Sequence, residues 1–257
     1  MNPEYLRKYY SFERNHWWFL IREKIIRQQL NKSLPVNAHL KILNVGAATG
    51  KSSQMLQQYG EVISVERDHD TCVFLCKELG LPVVEGSVES LPFDNNAFDV
   101  VCVFDVIEHI EQQEKAIQEL YRVCKNGGIL YCSVPAFHFL WSTHDEVNHH
   151  KRRYTVNEIR EVVGRKFVIE YNTYFNTLLF LPVWFARTIL PRLQKPQKPV
   201  SDFEHNKTLN GNFFSLIFKA VFSMELFWLR YFTFPFGVSI LLRGRKPASL
   251  PQNDEHL

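Results

Sequence analysis

The 257-residue chain lacks the features that would set it apart from ordinary globular proteins. Glycine (11) and proline (12) are scarce against 46% hydrophobic residues, which excludes collagen-like, low-complexity and disordered classes. No charge sign dominates. The 30 Lys and Arg face 27 Asp and Glu, and a net of +3 gives no electrostatic case for a general nucleic-acid binder. Five cysteines (72, 76, 102, 124, 132) form no Cys-x-x-Cys pair and no zinc spacing, so they read as reduced core residues of an intracellular protein. The opening MNPEYLRKYYSFERNHWWF has no apolar run of the secretory type, and no internal repeat is visible. What is present in excess is phenylalanine, with 21 residues that crowd toward the C-terminal third.

Apolar and aromatic positions recur at helix spacing through Trp17, Trp18, Ile21, Ile25 and Ile26, which predicts a helical segment over 4–31. From residue 39 short apolar runs alternate with helical stretches. The spacing predicts strands at 40–45, 61–65, 82–85, 98–104, 128–134 and about 167–173, with helices at 51–59, 69–79, 111–124 and 155–164. The unbroken apolar character of 100–104 suits a strand covered on both faces, hence an α/β fold with a doubly wound parallel sheet. The alternation stops over 176–234, and a last strand is expected at 236–242.

The first strand leads directly into Gly46-Ala47-Ala48-Thr49-Gly50 and then a helix, a unit that lets a ligand approach backbone N–H groups. A P-loop is one reading, because Lys51 and Ser52 follow and VVCVFD (100–105) ends in an acid. A phosphate loop needs four residues between its glycines, however, and only three lie between Gly46 and Gly50. A nicotinamide site is a second reading, with Glu66 as the acid of the next strand. It lacks the second and third glycines.

The third reading comes from the ensemble. Ile42-Leu43-Asn44-Val45-Gly46-Ala47-Ala48-Thr49-Gly50 resembles the first motif of class I S-adenosylmethionine-dependent methyltransferases. Glu66, the run Gly86-Ser87-Val88-Glu89, the segment Phe98–Ile110 and the turn Lys125-Asn126-Gly127-Gly128 resemble that family's later motifs in order and spacing. The resemblance covers roughly 40–175 plus 236–246. It implies a mostly parallel seven-stranded sheet with the last strand antiparallel, and S-adenosyl-L-methionine as cofactor. It also implies cofactor contacts from Asn44, Gly46, Ala48, Gly50, Glu66, Ser87, Val88 and Asp105. Asn44, Ala48 and Ser87 depart from the family's usual acid, glycine and Asp, and each departure weakens binding.

Methyl transfer to oxygen needs an aligned nucleophile and often one base. His109 in the loop after the fourth strand is the candidate, with His144 and His149 as alternatives from the dense run HDEVNHHKRRY (144–154). No metal is expected, although Asp105, Glu108 and His109 share the spacing of a divalent-ion set. The competing reading has Asp105 capping the turn while Glu108 and His109 orient the loop. Lys151, Arg152 and Arg153 are candidates to hold an anionic group, and Arg22 to meet the cofactor's methionine carboxylate.

Residues 177–190 and 213–234 are rich in Phe, Leu and Trp, but Pro182, Arg187, Lys219, Glu225 and Arg230 argue against bilayer-spanning helices. Residues 180–250 carry ten Lys and Arg against three Asp and Glu. An apolar face with basic flanks suits an anionic membrane surface, a dimer interface or a greasy pocket. Together with the HWWF start, the HDE-x-x-HHKRRY stretch and the closing Phe234-Pro235-Phe236-Gly237-Val238-Ser239, this pattern resembles a bacterial methyltransferase subfamily of envelope-polysaccharide and lipid-linked sugar pathways. The expected organisation is a helical lid (1–35), a core (36–175 plus 235–247), an apolar helical insertion (176–234) and a tail (248–257). The expected activity is O-methylation of an amphiphilic or lipid-linked small molecule, cytoplasmic or peripheral at the inner membrane face. A quinone-type O-methyltransferase and a non-catalytic cofactor-binding accessory protein are the rivals, and no nucleic-acid partner is expected.

Overall fold

The computed structural model describes residues 3–36, 38–193 and 213–248. Most of the Pro/Lys-rich loop at 191–199 and all but the first residue of the tail lie outside them. Seven strands form one sheet: β1 (Leu40–Val45), β2 (Gly60–Glu66), β3 (Val83–Glu85), β4 (Phe98–Phe104), β5 (Cys124–Pro135), β6 (Val168–Phe175) and β7 (Ser239–Arg245). Their order is β3-β2-β1-β4-β5-β7-β6, and β7 runs antiparallel to both neighbours. Six of the seven residues of β4 are buried, because central parallel strands are covered on both faces. The carboxyl ends of β1, β2, β4 and β5 meet at one edge. The strand order reverses there, between β1 and β4, which is where open α/β sheets bind ligands.

Helices fill both faces. On one side α5 (Gln113–Val123) and α7 (Val156–Gly164) bury Ile117, Leu120, Ile159 and Val163 against Val101 and Val103. The other side is covered by α2 (Trp17–Asn31) and, from the insertion, α10 (Phe213–Trp228), which bury Ile25, Leu30, Phe222 and Leu229 against Ile42, Val100 and Leu241. Between β1 and β3 lie α3 (Lys51–Leu56) and α4 (His69–Leu79).

The helical segment expected over 4–31 is two helices, α1 (Pro3–Asn15) and α2. His16 breaks it: its backbone is extended (φ −77°, ψ 130°) and its Nδ1 accepts the Trp18 N–H at 3.3 Å, which makes it the N-cap of α2. The two halves differ in role. Ile21, Ile25, Ile26 and Leu30 are at most 1% exposed, so α2 is core. α1 lies over the loop after β1, with Leu6 packed beside Ala47, Phe74 and Leu81.

The last strand starts at Ser239, three residues after its expected beginning. Gly237 lies against the Phe175 backbone, where a Cβ would stand 2.5 Å from the Phe175 carbonyl oxygen, and Phe234 bridges to Tyr174. Pairing with β5 begins only beyond that crowded crossing. In the insertion, α8 (Phe180–Trp184) continues through a π turn (Phe185–Ile189) into α9 (Leu190–Leu193).

Candidate active site

The loop after β1 is shaped by backbone sign. Gly46, Ala48 and Gly50 have φ of 75°, 46° and 79°. At Gly46 a Cβ would stand 2.3 Å from Val106 Cγ2, so glycine is needed there for space as well as for conformation. Ala48 enters the left-handed region without that freedom, and its N–H donates to Glu66 Oε2 at 3.0 Å. The other oxygen of Glu66 accepts the N–H groups of Arg67 (2.8 Å) and Asp68 (3.2 Å). Main-chain amides thus hold a half-buried carboxylate at the tip of β2, and a carboxylate has lone pairs to spare for two neighbouring hydroxyls. Beyond β3, Ser87 and Ser90 close a one-bridge turn. Val88 is buried beneath it, and the Ser87 hydroxyl accepts the Glu89 N–H.

These positions fit S-adenosylmethionine: the bent glycine loop would admit it to the backbone, Glu66 would accept from its ribose hydroxyls, and the turn at Ser87 would line the adenine. Asn44 is turned toward α3. It is 1% exposed, and its Nδ2 donates to Ser52 and Ser53 at 2.9 Å, tying β1 to α3. α1 clamps the loop from outside. Glu13 accepts from the Thr49 hydroxyl, and Lys51 Nζ donates to the Glu13 carbonyl at 2.8 Å. Burial raises the Glu13 carboxyl, against the pull of Lys51, Arg22 and Arg14.

Asp105 follows β4 with φ 55°. Its carboxylate accepts Arg22 Nη2 at 2.6 Å and the Ser133 hydroxyl at 2.8 Å. Arg22, the candidate for the cofactor's methionine carboxylate, is the ion-pair partner of Asp105. Burial pushes the Tyr9 hydroxyl far up, and the charges of Glu13, Arg22 and Asp105 act on it from around the same site. Neither Tyr9 nor Glu13 was singled out in the sequence as a site residue, although their spacing of four puts both on one face of α1.

The turn after Asp105 (Ile107–His109) brings up Glu108 and His109. Glu108 is 0% exposed, and neither of its carboxylate oxygens has a hydrogen-bond partner. Burial and the Asp105 charge raise its carboxyl well above the usual range. The His109 ring stands 4.7 Å from that of His150, and burial followed by the His150 charge lowers it, so it is a neutral imidazole at pH 7.

His150 comes from the HDEVNHHKRRY run. Its Nδ1 lies 2.8 Å from Asp145 Oδ1, in a pair that is almost wholly buried. Arg153 grips the same carboxylate with two bonds, of 2.8 and 3.0 Å, and donates to the Ala136 carbonyl at 3.0 Å. Burial alone would raise Asp145, but the hydrogen bonds from His150 and Arg153 outweigh it and hold the carboxyl well below its usual range. Arg153 is 1% exposed, which corrects its reading as an anion holder. Lys151 and Arg152 remain at the surface, with Arg152 donating to the Glu111 carbonyl.

His144 approaches His150 with ring centroids 5.8 Å apart, and its Nδ1 lies 2.9 Å from Asn148 Nδ2. His149 is exposed with φ 56°, and what it offers His109 is its backbone carbonyl. Of the three candidate bases, His109 is the one the fold sets beside Glu108 and His150. Nothing along the chain ranks His150 above its neighbours, because the rank depends on Asp145 being buried under it.

The insertion forms the wall next to this cluster. The Arg187 charge helps to lower Asp145. Phe137 stacks on Tyr174 at 5.1 Å, and Phe180 stands edge-on to Phe137, Phe139 and Phe236. Phe139 and Phe236 remain 55% and 45% exposed, which leaves an open aromatic surface at the end of β5.

Residues 43–132 match the family described as "Methyltransferase domain". The demethylmenaquinone methyltransferase of Shouchella clausii is 24% identical over 171 residues, which is 60% of this chain and 68% of that protein. The ubiquinone/menaquinone biosynthesis C-methyltransferase of Escherichia fergusonii is 27% identical over 115 residues, or 41% and 46% of the two chains. The chain thus spans about two thirds of one curated relative and about half of the other. Among solved structures, the Haloferax volcanii methyltransferase in complex with the Trm112 activator superposes with a TM-score of 0.59 at 16% identity, covering 95% of this chain and 94% of that one. The [4+2]-cyclase SpnF gives 0.57 at 16% identity, over 88% and 81%. At such identities the likeness shows the fold, and a cyclase in the set underlines that this fold does not dictate one reaction.

Proposed function

On this S-adenosylmethionine-dependent methyltransferase core, we propose that the acceptor is an amphiphilic or lipid-linked small molecule methylated on oxygen at the edge between Asp105 and His150. One observation carries the reading. The aromatic wall of Phe137, Phe139, Phe180 and Phe236 joins the apolar insertion to the loop that holds the polar cluster. An apolar acceptor tail has a surface to lie on, and its polar end then faces His109.

When bound, S-adenosylmethionine supplies an electrophilic methyl group on a sulfonium. The chain's own residues do the rest. Glu66 takes the ribose hydroxyls, and the loop from Gly46 to Gly50 gives the cofactor close access to backbone. α1 shields that loop from water through Glu13 and Tyr9. A hydroxyl acceptor must lose its proton as the new C–O bond forms, and the His109 imidazole, which burial keeps neutral, is where that proton is drawn.

A second reading follows from the relatives named for C-methylation: transfer to a carbon of a quinone-type ring on the same aromatic wall. Titration calorimetry with S-adenosylmethionine, ATP–magnesium and NAD comes first, and binding is expected for the first ligand only. Release of S-adenosylhomocysteine in the presence of a bacterial lipid extract, with mass spectrometry of the product, then separates the acceptors. An O-linked methyl supports the proposal and a ring-carbon methyl supports the second reading. Cofactor binding without any turnover would leave an accessory protein and overturn both.

A further inference from the structure

We propose that Glu108, His109 and His150 form a binding site for a first-row divalent transition ion. One ligand atom from each of the three lies within 4.8 Å of the other two. Two imidazoles and one carboxylate are the donor set of borderline ions such as Zn2+, Co2+ and Fe2+, and they suit Ca2+ poorly.

The second observation is Glu108 itself. A buried carboxylate ordinarily accepts hydrogen bonds from whatever surrounds it. Glu108 is 0% exposed and both its oxygens lack a donor, while they face two histidine rings. A cation would supply what the protein does not. The surroundings are also arranged as ligand supports. Asp145 is bonded to His150 Nδ1, which leaves Nε2 as the nitrogen that can turn to a metal, and Arg153 fixes Asp145 in turn. The carbonyls of Asn148 and His149 face the His109 ring. Outer partners of this kind set tautomer and ring orientation in metal sites. The set differs from the sequence-based alternative of Asp105, Glu108 and His109, because Asp105 is engaged by Arg22 and Ser133.

Three protein ligands leave coordination positions open. An acceptor with two adjacent oxygens, such as a vicinal diol or an ortho-hydroxy carbonyl, fits such a centre, and a hydroxyl bound there loses its proton more readily. This role rests on the methyl-transfer reading, whereas ion binding does not.

The experiment therefore measures the ion directly. The full chain is stripped with chelator, loaded with Zn2+ or Co2+, dialysed and analysed for metal, and the cobalt form is read by its visible absorption. About one ion per chain is expected, with affinity lowered tenfold or more in Glu108→Gln and in His150→Ala. His69→Ala, on the far-off α4, serves as the control for stray histidine binding. Titration of each variant with S-adenosylmethionine monitors folding independently of the metal. Loss of metal with cofactor binding retained supports the site. Failure of the parent chain to retain metal, or retention unchanged in the folded variants, overturns it. Absence of S-adenosylmethionine binding by the parent chain would instead count against the methyl-transfer reading alone.

Discussion

Asp145 shows how one buried charge organises its neighbours. Its carboxylate holds the Arg153 guanidinium and orients His150, and both it and Arg153 are essentially inaccessible to water. Asp145→Ala strands a buried guanidinium, and breaking a buried pair from one side costs about 3–5 kcal/mol. Urea unfolding should show that loss. The folded carboxyl lies below its unfolded value of 3.8, so its contribution is fully present above that pH and is lost only as pH falls through the lower folded value. The deficit of the variant should accordingly be constant from pH 5 to 8. The sequence marked HDEVNHHKRRY as unusually rich in functional side chains, and the structure concentrates chemistry there. What it could not show is which charges are buried. Arg153 sits in a basic triplet with an exposed Lys151 and a half-buried Arg152, and nothing in their order along the chain distinguishes them.

α10 is the element where pattern reading was least informative. Phe213–Trp228 is apolar on nearly every side, so the stripe of Ser215, Lys219 and Ser223 suggests a polar face. Packing selects another set. Ser215, Phe222, Glu225 and Leu229 are buried, while Lys219 is exposed, as are Leu216, Ile217, Phe227 and Trp228. Glu225 is inside because it accepts the N–H groups of Asn176 (2.7 Å) and Leu178 (2.8 Å), groups that no strand or helix satisfies. Burial raises its carboxyl from 4.5 to about 7 against those bonds. Between these values the folded chain retains a proton that the unfolded chain has released, so the contribution of Glu225 to stability falls as pH rises across that window. Comparing urea midpoints at pH 5 and pH 8 should reveal a decline of about 2–3 kcal/mol in the parent. That decline should be absent in Glu225→Gln. By contrast the strands of the sheet were legible to within a few residues, because fully covered strands write themselves as unbroken apolar runs. The His16 break was not legible, since the helical pattern continues across it.

Across the whole molecule, charge and apolar surface are unevenly shared. The insertion and closing strand carry most of the basic excess, and Leu216, Met224, Phe227, Trp228, Tyr231 and Phe232 leave apolar side chains in water. Among the described residues, no helix is long and apolar enough to cross a membrane. Under the lipid-linked reading, the full chain should co-float with anionic vesicles and much less with neutral ones. Phe227→Asp with Trp228→Asp should abolish flotation while leaving the melting temperature nearly unchanged, since both positions are exposed. Flotation that survives the double change would place the contact elsewhere.

The insertion leaves and rejoins the core at two paired strands, β6 and β7, and its ends are stapled by the Thr177 hydroxyl donating to the Phe236 carbonyl at 2.6 Å. It is in effect a very large hairpin loop whose base is fixed before its contents are chosen. That base ties the two ends of the loop to one register, while Phe222 and Glu225 of α10 tie its middle to the sheet and to the turn at Asn176. The loop can therefore vary in the side chains it turns outward, but its removal would uncover one face of the sheet.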